Sequence, residues 1–243
     1  MGRREVRRVC FTVDAEPDCP PYLWTWRGMA EGAPWLLETL QEEGVPATLF
    51  TTGHTAREFP TFVDDLLSQG HELGCHGMSH RAFTELSEEE ARAEIHESAT
   101  LLRAWGPVTA FRAPYLRFPD AYLGLLEQEG FQIDSSRGKY KPAHWGPTAT
   151  TRLTRIPASI TSSWLRLPAA LRDPLLRTLA DPVVLFVHPW EYVDFTGAPI
   201  PWDCRAGTGQ RAKDALREVI GILKNEGADF VRISDLARQG HRS

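Results

Sequence analysis

Three short stretches hold most of the side chains that could do chemistry together: Asp14-Ala15-Glu16, His76-Gly77-Met78-Ser79-His80 and His188-Pro189-Trp190-Glu191. On a strand, Thr12, Asp14 and Glu16 share one face while Phe11, Val13 and Ala15 share the other. Two carboxylates that close are costly unless a cation, a proton or an arginine separates them. His76 and His80 are four apart, the spacing at which one turn brings two imidazoles to the same side. Two histidines and one carboxylate are a donor set that holds zinc and leaves a position open for water. Neither piece is decisive alone. An isolated His-x-x-x-His is commonly a pair of loop histidines, and an acidic pair before Pro17 is commonly an exposed turn.

The elements that must position these groups are legible in the pattern. Short β-branched runs imply strands over residues 8–16, 47–53, 71–77, 108–114, 131–136, 152–158, 182–190 and 229–235. Between them, amphipathic stretches imply helices over 33–43, 56–68, 87–104, 119–129, 168–179 and 210–225. Gly44, Gly70, Gly130 and Gly227 fall where helices should stop, and Ser87 with Glu90 reads as a capping box. Regular alternation of strand and helix implies a parallel α/β sheet. In such folds the chemistry lies at the C-terminal ends of the strands. Read in order, those ends offer Asp14 and Glu16, then Gly53-His54, then His76 and His80, Arg112-Ala113-Pro114-Tyr115, Asp134-Ser135-Ser136 and His188-Pro189-Trp190-Glu191. A purely structural sheet has no need of so many ionisable groups at one end. Parity also sorts the crowded stretch 71–80: His71 and Cys75 point away from His76.

Composition excludes several classes. The 243 residues carry 27 Lys plus Arg against 32 Asp plus Glu, a net charge of −5, with no block of like charge. That argues against a nucleic-acid footprint. The apolar run near the start is too short for a signal peptide or a membrane span, so a cytoplasmic protein with no integral membrane segment is expected. Cys10, Cys19, Cys75 and Cys204 lack paired spacing and are expected as free thiols. The length suits one domain over residues 1–243. Gly207-Thr208-Gly209 lacks the lysine of a phosphate loop and is read as a helix N-cap.

Five motifs in this order resemble those of the polysaccharide deacetylases, the NodB-homology or carbohydrate esterase 4 family: Phe-Thr-Val-Asp14, His76 to His80, Phe-Arg112-Ala-Pro-Tyr115, Ile-Asp134-Ser-Ser136 and Leu-Phe-Val-His188-Pro-Trp-Glu191. The resemblance runs from about residue 9 to about 236. It implies a distorted barrel of seven or so β/α units, a divalent metal, usually zinc, and hydrolysis of an N-acyl group on a sugar. Carried over, His76 and His80 match the metal-binding histidines, Asp14 the catalytic base, Arg112 its partner and His188 the acid. Tyr115 matches the position whose backbone N–H helps hold the oxyanion. The chain departs from the family at Ala15, where the usual pattern has a second aspartate. A subset with Asp-x-Glu and a His-Pro-Trp-Glu ending is similar to this chain, and on that basis Glu16 is assigned to the metal, with Asp14 as the alternative ligand.

Amide hydrolysis needs an activated water, a polarised carbonyl and a proton donor. Zinc on Glu16, His76 and His80 would supply the first two, Asp14 would remove the water's proton and His188 would protonate the departing nitrogen. Trp190, Tyr192, Trp145, Trp164, Trp24 and Trp26 are candidates to stack on a sugar or to pack beneath loops. Asp134 is a candidate substrate ligand or the cap of its own turn. Other readings are a deformylase of a lipid-linked amino sugar, a cyclic imide or amide hydrolase, and a non-catalytic carbohydrate-binding homologue.

Overall fold

The strand β1 (Arg8–Ala15) is buried along almost its whole length and organises the sheet. The computed structural model describes residues 6–145 and 149–240. In it, β1 pairs in parallel with β2 (Ala47–Thr51) and β7 (Val183–Val187), while its first residues also pair with β8 (Asp229–Phe230). Beyond β2 follow β3 (Glu72–Cys75), β4 (Ala110–Phe111), β5 (Ile133–Asp134) and β6 (Thr154–Arg155), giving the order β6-β5-β4-β3-β2-β1-β7. Every pairing is parallel, so each connection must cross over outside the sheet, and α-helices do this everywhere but between β5 and β6, where the described residues hold only a 3-10 turn, Pro142–His144. The crossover helices are α1 (Ala33–Glu42), α2 (Gly53–Glu58), α3 (Pro60–Ser68), α4 (Glu88–Leu102), α5 (Leu123–Gln128), α6 (Ser162–Leu165), α7 (Ala169–Thr178), α8 (Trp202–Arg205) and α9 (Gln210–Asn225), and α10 (Ile233–Gly240) follows the last strand.

The sheet curls into a half-barrel. Among the described residues no strand pairing joins β6 to β7. The segment after β6 bridges the gap instead, with Ser159 N–H donating to the Val184 carbonyl and Val184 N–H donating to Ser159 Oγ. Strand parity builds two cores. Phe11, Val13, Ala15, Leu49, Leu73, Cys75 and Leu185 point outward into the main core beneath the helices. Cys10, Phe50, Ala110, Ile133 and Val184 point inward and are plugged by Ile233 and Leu236 of α10.

All eight expected strands exist, most of them shorter than their apolar runs. The helix expected over 56–68 is two helices, because Pro60 has no N–H to continue the first and begins the second. α2 itself starts early, at Gly53, capped by Thr52 Oγ1 accepting from Thr55 N–H. The strand expected to run to 235 stops at Phe230, and Ile233, Leu236 and Ala237 instead form one apolar face of α10. α6 and α8 are too short to leave a periodic signal. Gly209 does cap α9, and the capping box of Ser87 and Glu90 is present. Residues 1–5, 146–148 and 241–243 lie outside the described residues. Among the described residues no helix is long and apolar enough to cross a membrane.

Candidate active site

At the C-terminal end of the barrel the inward face turns polar. Arg112 follows β4 directly and is the largest fully buried side chain, with 0% exposure. Such burial is tolerable only because its charge is met from several directions. Its Nη1 donates to Asp14 Oδ1 at 2.7 Å and to Thr12 Oγ1 at 2.8 Å, and Nη2 donates to Ser135 Oγ at 2.9 Å. The guanidinium also lies over the Phe50 ring, 4.2 Å from its centroid, a cation–π contact in a dry setting. Asp14 thus belongs to Arg112, with Oδ2 left free of the pair.

Glu16 goes elsewhere. Its Oε2 is 3.2 Å from His76 Nε2 and 2.6 Å from His80 Nε2, and all three side chains are buried. Ligand atoms from Glu16, His76 and His80 lie within 4.8 Å of one another, a group able to hold a metal ion. Burial pushes the Glu16 carboxyl up, but the neighbouring His80 and His188 imidazoles hold it well below the usual carboxylate range. Between the two acids the sequence leaves open, the structure brings Glu16 to the histidines and Asp14 to the arginine.

The donor set fits a divalent metal on two further observations. His76 Nδ1 donates to the Arg112 carbonyl at 2.7 Å, which fixes the tautomer and leaves Nε2 as the ligand atom. Among the described residues neither buried ring nitrogen of His80 has a hydrogen-bond partner, although Nε2 lies 2.6 Å from Glu16 Oε2. A cation shared by the three atoms satisfies all of them.

The loop between the histidines is shaped by a residue the sequence reading misses. Glu94 of α4 accepts from Met78 N–H and Ser79 N–H, both at 2.9 Å, and from Ser79 Oγ. Gly53 N–H and His54 N–H donate to the Gly77 and Met78 carbonyls. His80 adopts a left-handed φ of 61° and Gly77 a φ of 76°, a bend that delivers both imidazoles to Glu16. A helical turn is therefore not what makes the spacing of four work. Glu94 is an unremarked glutamate in a charged helix, and only its near-complete burial distinguishes it.

On the opposite wall His188 follows β7. Its Nδ1 donates to Glu191 Oε1 at 2.7 Å, and Nε2 lies 3.8 Å from Glu16 Oε1. Burial pulls the imidazole's pKa down, yet Glu16, Glu191 and Asp14 together carry it up to about 9. Glu191 is itself held below the usual carboxylate range against its burial, chiefly by Arg166, whose Nε is 2.9 Å from Glu191 Oε2. Arg166, in turn, donates to the carbonyls of Asp203, Cys204 and Ala206. Nothing in the sequence around Arg166 announces this, because the pairing spans α6 and the turn after β7.

Tyr115 sits in the bend after β4 with φ 60°, its ring edge-on to His80 at 4.8 Å. Among the described residues its N–H has no acceptor, as an oxyanion donor requires. Trp190 does not match the sugar-facing role read for it. Its ring is 5% exposed and stacks on His188 at 5.1 Å, so it backs the imidazole. Asp134 likewise fits the turn-capping alternative rather than a substrate ligand: at 1% exposure it accepts from Ser136 N–H at 3.0 Å and Arg155 Nε at 2.9 Å. Trp24 is the aromatic left open at the rim, 52% exposed and edge-on to His80. Trp145 and Trp164 are exposed, and Trp26 packs on Phe59.

Known proteins are similar to this chain in sequence and in fold. Over 108 residues the chain is 33% identical to a peptidoglycan deacetylase of Helicobacter pylori, a stretch that is 43% of this chain and 36% of that protein. Over 127 residues it is 31% identical to a peptidoglycan-N-acetylglucosamine deacetylase of Bacillus cereus, 51% of this chain and 42% of that protein. The chain thus spans less than half the length of these curated relatives. A solved structure described as a putative polysaccharide deacetylase from Mycobacterium smegmatis shares the fold over 96% of this chain and 90% of that one, with a TM-score of 0.69 at 22% identity. Residues 2–133 match the polysaccharide deacetylase family, a span that holds Asp14, Glu16, His76, His80, Arg112 and Tyr115. With that match over half the chain, and the half-barrel that presents those residues, the chain belongs to the polysaccharide deacetylase family, hydrolases of carbon–nitrogen bonds other than peptide bonds.

Proposed function

We propose that this chain is a metal-dependent hydrolase that removes an N-acyl group, N-acetyl first among the candidates, from an amino sugar or glycan. The observation that carries this reading is the separation of the two acids at the end of β1: Glu16, just beyond the strand, meets two histidines while Asp14 meets a buried arginine. One set can hold a metal and the other can move a proton.

Glu16, His76 and His80 would hold the ion, most simply zinc, which when bound supplies Lewis acidity and makes water acidic enough to ionise near neutral pH. Asp14, fixed through Oδ1 by Arg112, presents Oδ2 to take up the proton of the attacking water. The free N–H of Tyr115 donates to the oxygen that gains charge as the carbonyl becomes tetrahedral. His188, its Nδ1 anchored on Glu191, delivers a proton from Nε2 to the amine nitrogen, without which the amine is a poor leaving group. Trp190 behind it and Arg166 behind Glu191 keep that imidazole in place. A non-catalytic binder has no use for base, orienting arginine and acid together.

The test is a metal analysis coupled to a screen for acetate and formate release from N-acetyl and N-formyl sugars, free, polymeric and lipid-linked, with a cyclic imide included. The reading expects chelation to abolish release from at least one sugar. Undiminished turnover after chelation, or in the double variant His76→Ala, His80→Ala, overturns it. Release confined to the imide or to the N-formyl lipid would move the assignment to those substrates.

A further inference from the structure

The four cysteines fall into two kinds. Cys10 and Cys75 are sealed in separate cores, and burial pushes their thiols up to about 12 and about 11. Thiols of that sort are chemically inert. Cys19 lies in one small apolar cluster with Trp190, Val193, Phe195 and Ile200, and Cys204 packs against that same cluster, near enough for each thiol to shift the other. Cys19 lies in the loop just beyond Glu16, in a left-handed conformation with φ 43°, and is 3% exposed. Cys204 sits on α8, is only partly buried, and so meets solvent first. Their mutual influence also makes the two unequal: it lowers the Cys204 thiol and raises that of Cys19.

We propose that Cys19 and Cys204 form a dithiol modification site that closes to a disulfide when the protein meets a low-molecular-weight disulfide such as oxidised glutathione. The Cys204 thiolate attacks one sulfur of the oxidant, forming a mixed disulfide and releasing one thiolate. Cys19 then gives up its proton and attacks the Cys204 sulfur, forming the internal bond and expelling the second thiol. Two thiols are oxidised and one external disulfide is reduced to two thiols, so the exchange balances. The bond ties the loop that carries Glu16 to α8, whose carbonyls hold Arg166 on Glu191. It also closes a long loop in the unfolded chain and so raises the thermal midpoint.

The experiment incubates the reduced, full-length chain with oxidised glutathione and maps its thiols by mass spectrometry after alkylation. The expected product has lost two hydrogens, joins the Cys19 and Cys204 peptides, reverts with dithiothreitol and melts higher than the reduced form. Cys10 and Cys75 should alkylate only after denaturation. In Cys19→Ser the reaction should stop at a glutathione adduct on Cys204, whereas Cys204→Ser should give neither adduct nor cross-link. A stable adduct on Cys204 of the unsubstituted protein, four untouched thiols, or a cross-link through Cys10 or Cys75 overturns the proposal. The mapping of the unsubstituted protein decides the matter even if a variant fails to fold. None of these readouts depends on hydrolase activity.

Discussion

Two levels of the same half-barrel interior differ completely in chemistry while sharing their strands. At the lower level Cys10, Phe50, Ala110, Ile133 and Val184 meet the plug from α10, and the space is filled by apolar contact. One or two inward positions further along, the same strands or the turns just after them deliver Asp14, Arg112, Ser135 and His188. Phe50 belongs to both, since one of its ring faces carries the Arg112 guanidinium. The lower level is specified by volume and tolerates a change in shape. The upper level is specified by pairing, and removing one partner strands another charge in a water-poor space.

Substitutions can break this contrast in order of severity. His76→Ala with His80→Ala should remove both metal binding and measurable hydrolysis, as read by metal content and by acyl release. Asp14→Asn should lower kcat about 100- to 10,000-fold, the usual worth of a positioned base, with metal retained. Arg112→Met leaves Asp14 buried without its cation and should cost about 3–5 kcal/mol in denaturant unfolding. Ile133→Val, in the apolar level, should cost only about 0.5–1.5 kcal/mol and leave kcat unchanged. If Arg112→Met proves as mild as Ile133→Val, the two levels do not differ in the way described.

The acid's environment gives a pH test that sharpens the upper level. Burial pulls His188 down, and Glu16, Glu191 and Asp14 push it up, to about 9 in the metal-free protein. A bound cation neutralises Glu16 and lessens that push. In Glu191→Gln one of the negative charges is lost, so the imidazolium gives up its proton at lower pH. The basic limb of the kcat profile should therefore move toward acid, with the acid limb unmoved. A basic limb that stays in place would show that His188 is not the group titrating there.

The sequence carried the strand order of the chemistry because parity is local. Alternation along residues 8–16 is enough to put Asp14 and Glu16 on the inner face, and the same rule sends Cys75 outward to Ser98. What parity does not carry is which acid turns to which partner. That depends on Arg112 arriving from β4 beside Asp14, and on the bend at Gly77 to His80 held by Glu94. Supporting residues such as Arg166, Glu94 and Thr12 are invisible for the same reason: their partners are distant in the chain, and their own segments read as an irregular stretch, an ordinary helix and an ordinary strand. Trp190 and Asp134 were legible in type and position but not in use, since the space that would admit a sugar to either is already filled by His188 and by Arg155.

The division of labour between Asp14 and Glu16 is the centre of this account, and metal stoichiometry tests it most directly. Metal content would be measured for the unsubstituted chain, Glu16→Ala and Asp14→Asn after equilibration with zinc and gel filtration. The expected result is about one ion per chain for the first and the last, and none for Glu16→Ala. Metal retained by Glu16→Ala and lost from Asp14→Asn would contradict it and exchange the two roles.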